Sequence, residues 1–282
     1  MFLSLNGILI FVKKNFRKHD PQKQSILFLH GFGGCSSDWN ETISLIGSEF
    51  QILTIDLPGF GKSSKPRDDK FYQIDFLVQL IDDILSELKL AEVVLTGYSM
   101  GGRLALQFTS KHPEKVRALI LESSSPGIKT KSERQLRIKS DAALISFINK
   151  NSLKDFFTFW QNLPLFATQK NLPVKKRRSI LLNKINANSK TGLIKSLINF
   201  GQGEMKNLWN KLSRIRIPTL LLTGALDTKY TSIQQEMVKL IPNSSHKIIE
   251  DAGHNLHLEK PEVFVNLVRD FLEIINDKTD IK

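Results

Sequence analysis

The chain has 282 residues, 41% of them hydrophobic and 24% charged, with a formal net charge of +12. This length suits one large α/β domain, or one domain carrying an insertion, and it can bury a core without a disulfide or metal to hold it. The single cysteine, Cys35, excludes an intramolecular disulfide and fits a reducing compartment.

Met1 to Val12 is apolar, but its basic neighbours Lys13, Lys14, Arg17 and Lys18 follow it, the reverse of a secretory signal. Nowhere do 18 apolar residues run together, so no membrane span is expected. The reading is a cytoplasmic protein whose first strand is residues 8–12.

Short apolar runs then alternate with helical patterns. Ser25-Ile-Leu-Phe-Leu-His30 reads as a buried strand ending at Gly31, and Phe50-Gln-Ile-Leu-Thr-Ile-Asp56 as another, closed by Leu57-Pro58-Gly59. Apolar residues at 74, 77, 78, 81, 84, 85 and 88 form one face of a helix. Glu92-Val-Val-Leu-Thr-Gly97 is a third such strand, 103–111 a helix, and Arg117-Ala-Leu-Ile-Leu-Glu122 a fourth strand. Continuous apolar strands separated by helices imply a parallel sheet covered on both faces. The alternation stops near Ser123. From about Pro126 to Trp209 the patterns are helical, and strands resume at 219–224 and 246–250 before a last helix at roughly 261–275.

Charge sorts by the same boundaries. Residues 126–209 hold 16 Lys+Arg and 4 Asp+Glu, whereas the rest of the chain holds 24 of each. All the excess positive charge therefore lies in the helical stretch. The run Lys175-Lys-Arg-Arg178 reads as a solvated surface, and the stretch as a whole as a field suited to an anionic substrate. No nucleic-acid-binding module accompanies the charge, so no nucleic-acid partner is expected.

Gly97-Tyr98-Ser99-Met100-Gly101 matches G-x-S-x-G directly after a strand and at the opening of a helix, the context in which a serine hydroxyl is lifted out on a tight turn. Asp227, in Gly224-Ala-Leu-Asp227, and His254, in Gly253-His254-Asn255, each follow a strand and complete the order Ser…Asp…His. Serine needs a base to take its proton; His254 is placed to be that base, with Asp227 fixing its tautomer. His257 is a backup for the base. His30-Gly31-Phe32-Gly33-Gly34 supplies a loop whose Phe32 amide, with that of Met100, forms an expected oxyanion hole; His30 holds the loop in shape. These features define an α/β-hydrolase fold: a mostly parallel central sheet flanked by helices, built from 1–125 and 210–282, with a helical cap at 126–209.

A narrower likeness rests on Gly97-Tyr98-Ser99-Met100-Gly101-Gly102-Arg103, on Ser125-Pro126-Gly127-Ile128-Lys129, and on the stretch Glu133-Arg134-Gln-Leu-Arg137-Ile-Lys-Ser-Asp141. Phe159-Trp160-Gln-Asn-Leu-Pro164-Leu-Phe166-Ala-Thr-Gln169 and Gly201-Gln-Gly203 with Leu208-Trp209 extend it. In these pieces the chain resembles the 2-succinyl-6-hydroxy-2,4-cyclohexadiene-1-carboxylate synthases of menaquinone and phylloquinone biosynthesis. The resemblance implies a lyase that removes a ring proton from a cyclohexene polycarboxylate and eliminates pyruvate, with no acyl-enzyme, metal or cofactor. It implies that Arg103 and Arg137 grip carboxylates while Tyr98 and Trp160 line the pocket. One departure stands out. The family carries a further arginine about 16 residues before its Gly-Gln-Gly stretch, where this chain has Ile185 with Lys184 beside it. Lys184 is the expected stand-in, a point charge without the guanidinium fork. Two rivals stay open: a carboxylesterase or C–C bond hydrolase, which needs the triad but not Arg103 and Arg137 together, and a non-catalytic binding protein on the same scaffold.

Overall fold

The computed structural model describes residues 1–280. Eight strands make one sheet: β1 (Phe2–Leu5), β2 (Ile8–Lys14), β3 (Ser25–Leu29), β4 (Gln51–Ile55), β5 (Val93–Tyr98), β6 (Val116–Glu122), β7 (Thr219–Gly224) and β8 (Ser244–Ile249), in the spatial order β1-β2-β4-β3-β5-β6-β7-β8. The β1–β2 and β2–β4 pairs are antiparallel and all others parallel. The strands β3, β4 and β5 are buried at every position. Their side chains alternate between two cores, with Leu27 and Leu29 on one face and Ile26 and Phe28 on the other.

Helices cover both faces. One face carries α2 (Ile74–Glu87), α3 (Met100–Lys111) and α8 (Thr228–Leu240); the other carries α1 (Asn40–Ile46), the single turn α9 (Leu256–Glu259) and α10 (Pro261–Asp280). The α2 residues that pack inward include Leu77, Ile81, Ile84 and Leu85, the face read from the apolar spacing. Strand β1 was not anticipated from the sequence. It folds back on β2 through Asn6 and Gly7, both at positive φ (51° and 85°), a turn that an Asn-Gly pair adopts with little strain.

Between β6 and β7 no strand forms. The chain runs through α4 (Lys131–Lys150), α5 (Leu153–Gln161), α6 (Val174–Ala187) and α7 (Lys190–Phe200). This segment docks on the loops at the C-terminal ends of the strands. Gly192 and Gly59 approach so closely that a Cβ on Gly192 would stand 2.0 Å from the Gly59 carbonyl oxygen. Asn188 and Lys184 both donate to the Gly33 carbonyl, at 3.0 and 3.3 Å. The segment is thereby fixed above the strand ends where Ser99, Asp227 and His254 sit.

Candidate active site

Ser99 lies between β5 and α3 at φ 50°, ψ −105°, a strained conformation for a residue with a side chain. The neighbouring glycines make the turn possible. A Cβ on Gly97 would meet the Gly101 carbonyl oxygen at 2.5 Å, and one on Gly101 the Leu29 carbonyl oxygen at 2.3 Å. Such contacts are far inside van der Waals range, so no other residue fits either position.

Asp227 follows β7 and caps α8, its Oδ1 accepting the Tyr230 N–H at 3.4 Å. Its Oδ2 accepts from His254 Nδ1 at 2.7 Å, and the Ser99 hydroxyl reaches His254 Nε2 at 3.1 Å. An ionised carboxylate only accepts, so Nδ1 carries the imidazole proton and Nε2 turns its lone pair to the serine. Asp227 and His254 are both buried, which keeps water from competing for these bonds. Three aromatic rings surround the imidazole: Tyr230 at 4.6 Å, Tyr98 at 5.4 Å and Phe166 at 5.9 Å between centroids. Burial, with Glu122 nearby, pushes the Tyr98 phenol well above its usual range, which favours the neutral ring.

Met100 opens α3, and the first N–H of a helix has no intrahelical partner. Phe32 belongs to the loop after β3, where His30 is fully occupied in support: its Nδ1 donates to the Gly31 carbonyl at 2.8 Å and its Nε2 accepts the Leu57 N–H at 3.1 Å. Burial lowers the His30 pKa, in keeping with a neutral ring that accepts at Nε2.

Phe32, Ser99, Met100 and His254 open into one cavity of about 470 Å³. Tyr98, Arg103, Arg137 and Trp160 line it too, so the structure gathers most of the residues singled out from the sequence. The two arginines differ in company. Arg103, on the first turn of α3, donates to the Phe200 carbonyl and the Met205 sulfur, both at 3.2 Å, and lies 5.0 Å from the centroid of the Phe200 ring. All these partners are neutral, and burial pulls its pKa down to about 10. Arg137, on α4, bonds the Asp141 carboxylate through Nε at 2.8 Å and the Gln202 Oε1 through Nη1 at 2.8 Å. Gln202 in turn donates to Ser125 Oγ at 3.0 Å. Trp160 packs between Phe32 at 5.2 Å and Phe166 at 5.7 Å, joining the helical segment to the loop after β3.

Lys184 is not brought to this cavity. Its ammonium donates to the Gly33 carbonyl, and Lys184 is not among the side chains that line the cavity. Asp141, Gln202, Tyr230 and Phe166 line the cavity without having been assigned a role from the sequence. A signal existed for three of them, Phe166 through its place in the stretch Phe159 to Gln169 already set apart. Asp141 stands four residues after Arg137, the spacing at which opposite charges meet on a helix, and Gln202 sits between Gly201 and Gly203 in a stretch already set apart. Among the described residues no group of three or more His, Cys, Asp or Glu side chains is placed to hold a metal ion, and no helix is long and apolar enough to cross a membrane.

Known proteins resemble this chain in sequence and fold. The alpha/beta hydrolase fold family matches residues 24–261. A protein of Bacillus subtilis (strain 168), provisionally named a 2-succinyl-6-hydroxy-2,4-cyclohexadiene-1-carboxylate synthase, is 38% identical over 252 residues, 89% of this chain and 91% of that one. A synthase of the same name from Citrobacter koseri is 28% identical across 90% of this chain and 96% of its own. The solved structure of MenH from S. aureus superposes with a TM-score of 0.89 at 34% identity, covering 94% of this chain and 98% of that chain. Strained serine turn, sheet order and sequence likeness agree: the chain belongs to the 2-succinyl-6-hydroxy-2,4-cyclohexadiene-1-carboxylate synthase family of the α/β-hydrolase fold.

Proposed function

We propose that this chain is a carbon–oxygen lyase that removes pyruvate from 2-succinyl-5-enolpyruvyl-6-hydroxy-3-cyclohexene-1-carboxylate, in the formation of menaquinone or phylloquinone. The observation that carries the reading is Arg103, a guanidinium with only neutral partners in the same cavity as the Ser99–His254 pair. A desolvated cation that hydrogen-bonds only neutral groups, with Asp141 acting on it only through space, is costly, and a substrate carboxylate offsets that cost.

The difference between substrate and product fixes the chemistry. A 3-cyclohexene becomes a 2,4-cyclohexadiene when a proton leaves C2, the ring double bond shifts, and the C5–O bond breaks. C2 lies next to the succinyl ketone, so its deprotonation places negative charge on the ketone oxygen. In this reading His254 Nε2 takes the Ser99 hydroxyl proton and the serine oxygen removes the proton from C2. The amides of Phe32 and Met100 hold the resulting oxyanion. The electron pair then moves through the ring and expels the enol oxygen from C5. The departing enolpyruvate takes up a proton on its methylene carbon and becomes pyruvate. Asp227 stabilises the imidazolium formed on the way. Residues 126–209 act as the cap, with Arg137, Trp160 and Tyr98 shaping the substrate's surroundings. A cytoplasmic setting accords with the one buried, unpaired cysteine.

The test is an assay of the purified protein on the enolpyruvyl intermediate, following pyruvate with lactate dehydrogenase. Pyruvate should appear with the conjugated diene. Ser99→Ala should fold normally and lose on the order of 10³–10⁶ in turnover. Ester hydrolysis with a trapped acyl group on Ser99 and no pyruvate would instead establish a hydrolase.

A further inference from the structure

The base residue sits in a loop that nothing regular holds. His254 precedes α9, a single helical turn of four residues, too short to be stable alone. The side chain of Glu259, the last residue of that turn, reaches back. Its Oε2 accepts the Gly253 N–H at 2.7 Å and its Oε1 accepts the Asn255 N–H at 3.2 Å. One carboxylate thus spans the amides on either side of His254. Bonds from N–H to an ionised acceptor are about twice as strong as neutral ones. No side chain at position 253 could do the bracing, because a Cβ there would lie 2.1 Å from the Thr168 hydroxyl.

The turn itself is fastened as well. His257 donates through Nδ1 to Glu122 Oε2 at 2.7 Å and through its backbone N–H to Glu122 Oε1 at 3.2 Å, while its ring stacks 3.9 Å from Trp39. The Glu122 carbonyl accepts the Ser99 N–H at 2.9 Å. Serine and histidine are therefore tied to one frame that runs from Ser99 through Glu122, His257 and Glu259 to His254.

We propose that Glu259 is a positioning residue that holds His254 in line with Ser99, by clasping the Gly253 and Asn255 amides. The proposal rests on the reading of His254 as the base. A 3.1 Å hydrogen bond tolerates little movement, and a displacement of about 1 Å costs on the order of 10²-fold in rate.

The experiment compares Glu259→Ala, Glu259→Gln, His254→Ala and the double variant His254→Ala/Glu259→Ala in steady-state pyruvate release, with thermal melts run alongside. Glu259→Ala should lower kcat by about 10²-fold and leave KM within about twofold, because substrate contacts are untouched. Glu259→Gln keeps one carbonyl oxygen and should fall between parent and alanine; it carries the test where the alanine variant is unfolded at the assay temperature. In the His254→Ala background the second substitution should cost nothing further, since it acts only through the missing imidazole. An equal loss with and without His254, a rise in KM matching the fall in kcat, or parent-like glutamine and alanine variants would each overturn the proposal. A His254→Ala variant with near-parent turnover removes the base assignment and the proposal with it, whereas a dead His254→Ala beside a parent-like Glu259→Ala removes the proposal alone.

Discussion

The sheet core and the helical segment of residues 126–209 are built on opposite principles. The core is charge-balanced, with 24 basic and 24 acidic residues, and its central strands are buried at every position. The helical segment carries the whole net charge, and two of its helices are poorly segregated: α6 buries no residue at all, and α4 buries only Asp141 and Ile148, whereas α5 and α7 seat Phe156, Phe157, Leu193, Leu197 and Phe200 against the core. One region gains rigidity from packing throughout, and in the other α4 and α6 give up packing for side chains turned toward solvent or the cavity. The difference separates two tasks. Ser99 and Asp227 follow strands β5 and β7, which cannot move without disrupting the core, and His254 sits on the loop that Glu259 clasps. Much of the cavity lining comes from the helical segment, which is held by the packing of α5 and α7, by polar contacts at Gly33 and by the Gly59–Gly192 approach.

The sharpest way to break this comparison is to exchange the two arginines' roles. Arg103 belongs to the core and hydrogen-bonds only neutral groups, with Asp141 acting on it through space, whereas Arg137 belongs to the helical segment and is paired directly with Asp141. Substrate binding should therefore gain more from Arg103. Arg103→Ala should cost roughly 2–5 kcal/mol in kcat/KM, because it strands a desolvated substrate carboxylate. Arg137→Ala would leave the Asp141 carboxylate buried without its partner, so the fair comparison is Arg137→Ala with Asp141→Asn. That pair should cost about 1.5–3 kcal/mol, the scale of hydrogen bonds to a charged group. Equal losses in the two cases, read from initial rates over a substrate series, would mean that Asp141 does not offset Arg137 in the working enzyme.

How far the two regions were legible in the sequence follows the same division. Strands buried on both faces must be apolar at every position, so β3, β5 and β7 read as runs such as Ile26-Leu-Phe-Leu29, and the α2 stripe read as a helix face. The strained serine turn was legible because only glycine fits at positions 97 and 101. The helical segment was legible only as a loss of strand pattern. With most of α4 and α6 in contact with solvent or cavity, no apolar period marks where they begin and end. Tyr230 escaped notice because its place beside His254 depends on how α8 leaves Asp227, and Lys184 was read as facing substrate because sequence distance does not say which way a helix turns.

Asp141 gives the comparison a pH dependence of smaller size. Burial raises its pKa, and Arg137 only partly opposes the shift. The folded state then holds the proton more tightly than the unfolded chain, whose carboxyl titrates near 3.8. Stability from this group is full below that value and declines as pH rises through the folded pKa. In Asp141→Asn this decline should vanish. Thermal melts from pH 4 upward should show the parent losing midpoint relative to the variant; each kcal/mol corresponds to about 2–4 °C in a protein of 150–250 residues. A parent that gains stability relative to the variant over the same range would show that the Arg137 pair outweighs burial.

The smallest expected effect concerns the run Lys175, Lys176, Arg177 and Arg178 on α6, where charge density is greatest and contact with the cavity is absent. These four residues share a sign but not a situation. Lys176 bridges to Glu41 of α1 at 2.6 Å, tying the helical segment to the core, while Lys175 and Arg178 are exposed. A bridge whose acid is 46% exposed contributes no more than about 1 kcal/mol. The exposed pair can act on an anionic substrate only through its field, which is screened over about 8 Å at physiological ionic strength. Lys175→Gln with Arg178→Gln should therefore leave kcat unchanged and lower kcat/KM modestly at low salt, with the gap closing as salt is added. Lys176→Gln should lower the melting midpoint slightly. Its kcat/KM should follow the same salt dependence but with a smaller gap, because Glu41 already cancels much of its charge at a distance. If the double variant matches the parent at every ionic strength, the charge of this run is a solvated face and attraction of substrate rests on Arg103 and Arg137 in the cavity. If instead it loses turnover at high salt, α6 reaches the substrate during the reaction, and the division between a fixed core and a merely electrostatic outer helix fails at that helix.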